Sequence, residues 1–241
     1  MMEDHGEKSS PANQPILELC NAAFAYPGGR SVFQSATFTL SRGSLTLLKG
    51  PSGAGKSTLL RLLNRLEEPT RGAVLYRGRP LSEYPPPVLR REISYLQQTP
   101  VLLDSSVRDN LLLPFSFQAN QGKTRPNDST LRDQMVKLLL ESVSLEDNAT
   151  TLSVGQKQRL CLIRTLLLSP SVLLLDEPTA ALDQESRAIV ENAAETLCLD
   201  GVTVLMAGHQ EYVPRHVTPA LLEVRDGAIT FTPNNRSGGA A

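Results

Sequence analysis

The chain has 241 residues, of which 40% are hydrophobic and 20% charged, so it can bury a sizeable core and belongs among soluble globular chains. Its formal net charge of −1 argues against nucleic-acid binding through a broadly basic surface. Cys20, Cys161 and Cys198 are too scattered for a disulfide framework or a C-x-x-C zinc site, and no apolar run approaches the roughly 18 residues that span a bilayer.

Taken in chain order, residues 1–15 are polar and acidic without an apolar h-region, which points to a disordered tail rather than a signal peptide. Ile16–Leu19, Ala22–Tyr26 and Phe38–Leu40 read as strands, with a turn at Pro27-Gly28-Gly29. Leu45–Leu48 is an apolar strand feeding a glycine-rich turn and a helix from Lys56 to about Leu66. Gly72–Tyr76 reads as a further strand, and Pro85, Pro86 and Pro87 argue against regular structure before Val88, where a short helix can start. Ile93–Leu96 is a buried strand. Helical spacing over Ser106–Leu113, capped by Ser105 or Ser106, and over Leu131–Val143 makes residues from Pro100 to about Thr150 a small helical subdomain inserted in an α/β core.

Beyond it, Ser153 is placed to cap a helix running to Leu168, and Val172–Leu175 is apolar throughout, as a central parallel strand should be. Gln184–Leu199 is an amphipathic helix and Val202–Met206 another buried strand. Asp226-Gly227 is a hairpin turn between Leu221–Val224 and Ala228–Phe231. Residues 16–232 then form one domain, and residues 233–241 form a polar tail.

The chemistry starts at Gly50-Pro51-Ser52-Gly53-Ala54-Gly55-Lys56-Ser57-Thr58, which meets the pattern G-x-x-x-x-G-K-[ST]. Glycines let the backbone curl so that successive N–H groups point into one concavity, and the helix start adds partial positive charge. Lys56 brings a full charge to terminal phosphates, and the Ser57 hydroxyl can ligate Mg²⁺. Asp176 and Glu177 follow the apolar strand at its carboxyl end, where side chains face the ligand crevice of an open α/β sheet. Asp176 is thus a candidate to hold Mg²⁺ opposite Ser57, and Glu177 to polarise an attacking water. Ser153 and Gly155 lie at another helix start, a second place for an anion.

With these residues in view, Leu152-Ser153-Val154-Gly155-Gln156-Lys157-Gln158-Arg159 resembles the signature of ATP-binding cassette (ABC) ATPases. Leu173–Thr179 and Ala181-Leu182-Asp183 are similar to the family's second phosphate-site motif and its D-loop. Tyr26 matches the adenine-stacking aromatic residue. Gln98, preferred over Gln97 because it stands two residues before Pro100, matches the Q-loop glutamine, and His209 matches the switch histidine; His216 has no assignment. The resemblance covers about Ile16 to Phe231. It implies a P-loop NTPase core with a mixed sheet and flanking helices, an N-terminal antiparallel β-subdomain and the helical insertion. It also implies ATP and Mg²⁺ as cofactors, with Ser57, Gln98 and Asp176 at the metal and Glu177, His209 and Gln98 in catalysis. Tyr26, the residues from Gly50 to Thr58, and Ser153, Gly155, Gln156 and Asp183 would contact nucleotide, with the signature helix serving the ATP of a second, antiparallel copy. Val154, where the family most often has glycine, is expected to tune that sandwich, and Gly208 replaces the usual threonine before the histidine.

The function implied is ATP hydrolysis driving transport through a separate integral membrane subunit, on the inner face of the membrane and without nucleic acid. Gln98-Thr99-Pro100, Asp109-Asn110-Leu111 and Leu113-Pro114-Phe115 are similar to short bacterial cassettes tied to metal, notably iron, export. The alternatives are a soluble cassette ATPase in DNA repair, chromosome structure or translation, and a regulatory module without turnover; the presence of Glu177 and His209 disfavours the latter. Val101-Leu102-Leu103 and Leu111–Phe115 carry more apolar text than a small solvated insertion needs. Either they pack inside it, or they line a groove beside Gln98 that grips a helix of the partner.

Overall fold

The computed structural model describes residues 14–29, 31–208 and 212–234. A six-stranded sheet in the order β10-β9-β3-β8-β7-β6 carries the core of the fold. Its strands are β3 (Leu45–Lys49), β6 (Ile93–Leu96), β7 (Val172–Asp176), β8 (Thr203–Ala207), β9 (Ala220–Arg225) and β10 (Ala228–Thr232). All neighbours pair in parallel except β9 and β10, which form a hairpin through Asp226 and Gly227, both at positive φ as a two-residue primed turn requires. Every residue of β7 and β8 is buried, because alternate side chains enter separate cores on the two faces. Val172, Leu174, Leu205 and Leu48 pack on one face with helix α1 (Lys56–Leu63); Leu173, Leu175, Val204 and Leu47 pack on the other with α5 (Val154–Leu166).

A second, antiparallel sheet of order β2-β1-β4-β5 covers the α1 side. It comprises β1 (Pro15–Ala25), β2 (Ser31–Ser41), β4 (Arg71–Tyr76) and β5 (Arg79–Pro80). The two stretches expected before Tyr26 are one strand, β1, with register shifts around Asn21, whose φ of 46° marks an irregularity.

Three further boundaries differ from the sequence reading. Helix α2 (Pro86–Glu92) starts at the prolines instead of after them, since Pro85 caps it and Pro86 and Pro87 occupy first-turn positions where a missing N–H costs nothing. Helix α1 stops at Leu63 rather than about Leu66. Helix α4 (Asp128–Lys137), capped by Asn127, ends well before Val143, because Leu139 turns to φ 50° and the Leu140 N–H returns to the Met135 carbonyl. The leucines continue a helical spacing there because Leu138 and Leu140 still pack into the core from the turn.

The remaining helices, α3 (Val107–Leu112) and α6 (Gln184–Leu199), start at the expected places, with Ser106 and Asp183 as N-caps. Asn110 in α3 is fully buried and pins the preceding loop. It accepts from Leu103 N at 2.8 Å and donates to the Leu103 and Ser106 carbonyls at 3.1 and 3.0 Å.

Glu195 on α6 does similar work for the segment after β8. Its carboxylate is buried and accepts from Tyr212 Oη at 2.8 Å, Arg215 N at 2.9 Å and His216 N at 2.5 Å. Burial alone would push this carboxyl up, but the backbone donors of His216 and Arg215, with Tyr212, outweigh it and hold it below its ordinary value. Its stabilisation is therefore complete above pH about 4.5 and is lost as the pH falls through the lowered native value. Glu195→Ala should cost about 1.5–3 kcal/mol, a fall of roughly 3–12 °C in Tm at neutral pH for a domain of this size. Thermal melts from pH 7 to 3 should show the gap to the parent closing at the acidic end.

Candidate functional site

The parallel register brings the ends of β3, β6, β7 and β8 to one edge of the sheet. Beyond β3, the chain turns through Gly50 to Gly55 before α1. Gly55 is left-handed at φ 104° and no side chain caps the helix, so its first N–H groups are left to whatever sits over the loop. Glycine is required here for space as well as for φ. A Cβ on Gly50 would lie 2.3 Å from the Val224 carbonyl oxygen, and one on Gly55 would lie 2.4 Å from Val32 Cγ1. A Cβ on Gly53, at φ 75°, would meet nothing within 4 Å.

Lys56, only 4% exposed, folds over its own loop, with Nζ 3.0 Å from the Gly50 carbonyl and 3.2 Å from that of Pro51. It also lies 3.4 Å from Glu177 Oε1. Ser57 Oγ donates to Asp176 Oδ1 at 3.0 Å, and Gln98 Nε2 donates to Glu177 Oε2 at 3.2 Å. Glu177 reaches inward because it leaves β7 at φ 48°, a left-handed turn that a non-glycine residue adopts at some cost. Its N–H bonds the Ala207 carbonyl at 3.1 Å, so β8 holds the turn in place. Lys56, Ser57, Asp176, Glu177 and Gln98 therefore converge as the sequence predicts.

Tyr26 stands at the rim. The residue is 39% exposed, its ring meets Phe24 edge-on at 4.9 Å, and its hydroxyl shares a 3.0 Å hydrogen bond with Thr58 Oγ1. An exposed aromatic residue is thus tied directly to the loop helix. Ser153, Gly155, Gln156 and Asp183 make a second cluster. Ser153 and Gln156 form a reciprocal capping box at the start of α5. A Cβ on Gly155 would fall 2.7 Å from Ser186 Oγ, while Asp183 accepts from Ser186 N at 2.8 Å, so the starts of α5 and α6 are packed together. Val154 is 52% exposed at the first position of α5, so its bulk points away from this packing and its backbone is already helical. His209 lies outside the described residues.

Tyr95 carries no motif, and the sequence reading missed it. Its hydroxyl donates to Asp176 Oδ2 at 2.7 Å, a contact that only the adjacency of β6 and β7 reveals. Burial, then the bond to Asp176, pushes this phenol up to about 12. The donors around Ser57 are hard oxygens, one hydroxyl and one carboxylate, which suit Mg²⁺. Among the described residues no group of three or more His, Cys, Asp or Glu could hold a metal, so a cation here would lean on phosphate oxygens as well. Lys56→Ala should therefore weaken ATP affinity by roughly one to two decades, the value of a charge-assisted phosphate contact. Equilibrium binding of a fluorescent ATP analogue checks this, and parental affinity would overturn the role given to the loop.

Comparison with known proteins agrees with this geometry. The family model for ABC transporters matches residues 33–180. A probable iron export ATP-binding protein, FetA, of Escherichia coli strain K12 is 38% identical over 223 residues, which cover 92% of this chain and 93% of that protein. Antigen peptide transporter 2 of Mus musculus is 36% identical, over 73% of this chain but only 26% of its own length. A solved structure of an ATP binding subunit of an ABC transporter superposes with a TM-score of 0.77 at 25% identity, covering 90% of each chain. For cbiO1 of Clostridium perfringens, part of the ABC transporter complex cbiONQ, the TM-score is 0.75 at 24% identity, a likeness of fold, over 90% of this chain and 87% of that one.

Proposed function

This chain belongs to the ABC transporter family, as an ATP-binding subunit whose ATPase activity is coupled to transport, and on that premise we propose the roles of its residues, its partners and its cargo. The observation that carries the reading is the convergence of Ser57, Asp176, Glu177 and Gln98 beside Lys56. Ser57, Asp176 and Gln98 would hold Mg²⁺, which supplies neutralisation of phosphate charge when bound. Lys56 leaves its carbonyl partners and Glu177 for the terminal phosphates, a stronger set of acceptors. Glu177, released from Lys56, orients and polarises the attacking water, with Gln98 holding its other oxygen. Tyr26 offers its open ring to the adenine. His209 is assigned to the phosphate end by its place in the sequence alone.

The signature cluster serves a second copy. Ser153, Gly155, Gln156 and Asp183 cap the ATP held by the partner's loop, so that two antiparallel copies enclose two nucleotides. The 52% exposure of Val154 favours a residue that faces this partner and tunes the fit.

A separate integral membrane subunit receives the stroke, with this chain on the inner face of the membrane. Among the described residues no helix is long and apolar enough to cross a membrane. The docking groove is read beside the apolar stretches of the helical insertion. Leu102 and Phe115 are half-buried against the core, whereas Val101 and Leu103 are exposed. A cavity of about 500 Å³ lies between Leu66, Arg91, Tyr95, Pro114, Phe117 and Leu168, with Phe117 54% exposed. A cytoplasmic helix of the membrane subunit fits such an open, partly apolar cleft. The cargo proposed is a metal ion, iron in the first instance, moved outward. This rests on the 38% identity to a relative named for probable iron export and on near-complete coverage of that relative.

Glu177→Gln should keep ATP binding and lower hydrolysis by roughly two decades or more. Size-exclusion chromatography with saturating ATP should then show a dimer, and a monomer would remove the sandwich. Phe117→Glu should reduce co-purification with the membrane subunit by roughly tenfold or more, as loss of an anchoring aromatic does, while leaving ATP affinity at the parental level. Undiminished co-purification would move the docking surface elsewhere.

A further inference from the structure

Asp176 is 3% exposed and its two carboxylate oxygens have different partners. Oδ1 accepts from Ser57 Oγ at 3.0 Å and Oδ2 accepts from Tyr95 Oη at 2.7 Å. Tyr95 lies opposite Leu174 in the β6–β7 ladder, so Asp176, two residues on, is its diagonal neighbour on the same face of the sheet. Arg61 lies near the phenol, and its interaction with the Tyr95 hydroxyl holds the guanidinium further in its charged form, against the opposing effect of burial. Arg61 is four residues after Ser57 in α1, hence on the same helix face. One helix face thus contributes to both ends of the array: Ser57 at one carboxylate oxygen, and Arg61 at the phenol that occupies the other.

We propose that Tyr95 is a positioning residue for Asp176, locking the carboxylate's rotation so that Oδ1 is the oxygen presented, beside Ser57, to a divalent cation. The inference rests on the reading of Asp176 as a metal-site carboxylate. A short, charge-assisted bond in a buried setting fixes the carboxylate plane before any ligand arrives, which is how an outer partner raises metal affinity. Without the phenol, the carboxylate is held by Ser57 alone, and Oδ2 is a buried acceptor with one donor fewer. A phenylalanine keeps the ring's packing and removes only the hydroxyl.

Mn²⁺ is the probe, titrated into the full chain with ADP and followed by electron paramagnetic resonance. Tyr95→Phe should weaken Mn²⁺ binding by roughly tenfold, the scale of one lost hydrogen bond to a charged group. Nucleotide affinity in EDTA, where no cation contributes, should stay parental. Arg61→Gln, which leaves the phenol in place but removes its charged neighbour, should shift Mn²⁺ affinity in the same direction by less. It also carries the test if Tyr95→Phe melts below the working temperature. Parental Mn²⁺ affinity in a folded Tyr95→Phe chain, or parental affinity in Arg61→Gln should the first variant not fold, overturns the inference. Failure of the unaltered chain with ADP to bind Mn²⁺ overturns the metal-site reading itself, which separates the two.

Discussion

One contact, from the Ser57 hydroxyl to the Asp176 carboxylate, joins segments 119 residues apart in the chain. It forms because β3 and β7 flank β8 in a parallel register that ends all three strands at the same edge. The groups brought in around it come from different elements: Lys56 and Arg61 from α1, Tyr95 from β6, Gln98 from the turn after β6, and Glu177 from the turn after β7. The site is thus an edge property of the sheet, and the two hydrophobic cores matter to it mainly by fixing strand register.

Charge is arranged with equal economy. Asp176 and Glu177 are consecutive acids at a strand end, where two like charges held side by side repel. The left-handed turn at Glu177 separates their tasks by sending that side chain to Lys56 and Gln98 and leaving Asp176 to Ser57 and Tyr95. An alanine at 177 would relieve little of the backbone cost of φ 48°, since any Cβ meets it, so the cost is accepted for the direction it gives the carboxylate.

The parts legible in the sequence are those written in local code. The loop from Gly50 to Ser57, the apolar run before Asp176, the Ser153–Gln156 capping box and the Asp226-Gly227 turn each depend on residues within a few positions of one another. The missed parts depend on distant neighbours or on ambiguous local chemistry. Tyr95 reads as one more apolar residue of a strand until β7 is placed beside it. Leu138–Leu140 keeps a helical spacing although the chain has left the helix, because leucine fills a core from a turn as well as from a helix. The prolines at 85–87 both forbid and begin helices, depending on which side of them the helix lies. The apolar text at 101–115 shows the limit of composition: it does not tell half-buried Leu102 and Phe115 from exposed Val101 and Leu103, a division that only the fold makes.

The close approaches at Gly50 and Gly55 bear on what a motif is. The atoms that forbid a side chain at these two positions belong to Val224 in β9 and Val32 in β2, one from each sheet. The shape of the phosphate loop is consequently moulded from outside, by the gap where the two sheets meet. Grafting residues 50–57 onto a strand–helix junction of some other architecture would transfer the letters of the motif without its mould. In this chain the portable unit is the corner between the sheets, and the glycines are the imprint it leaves in the sequence.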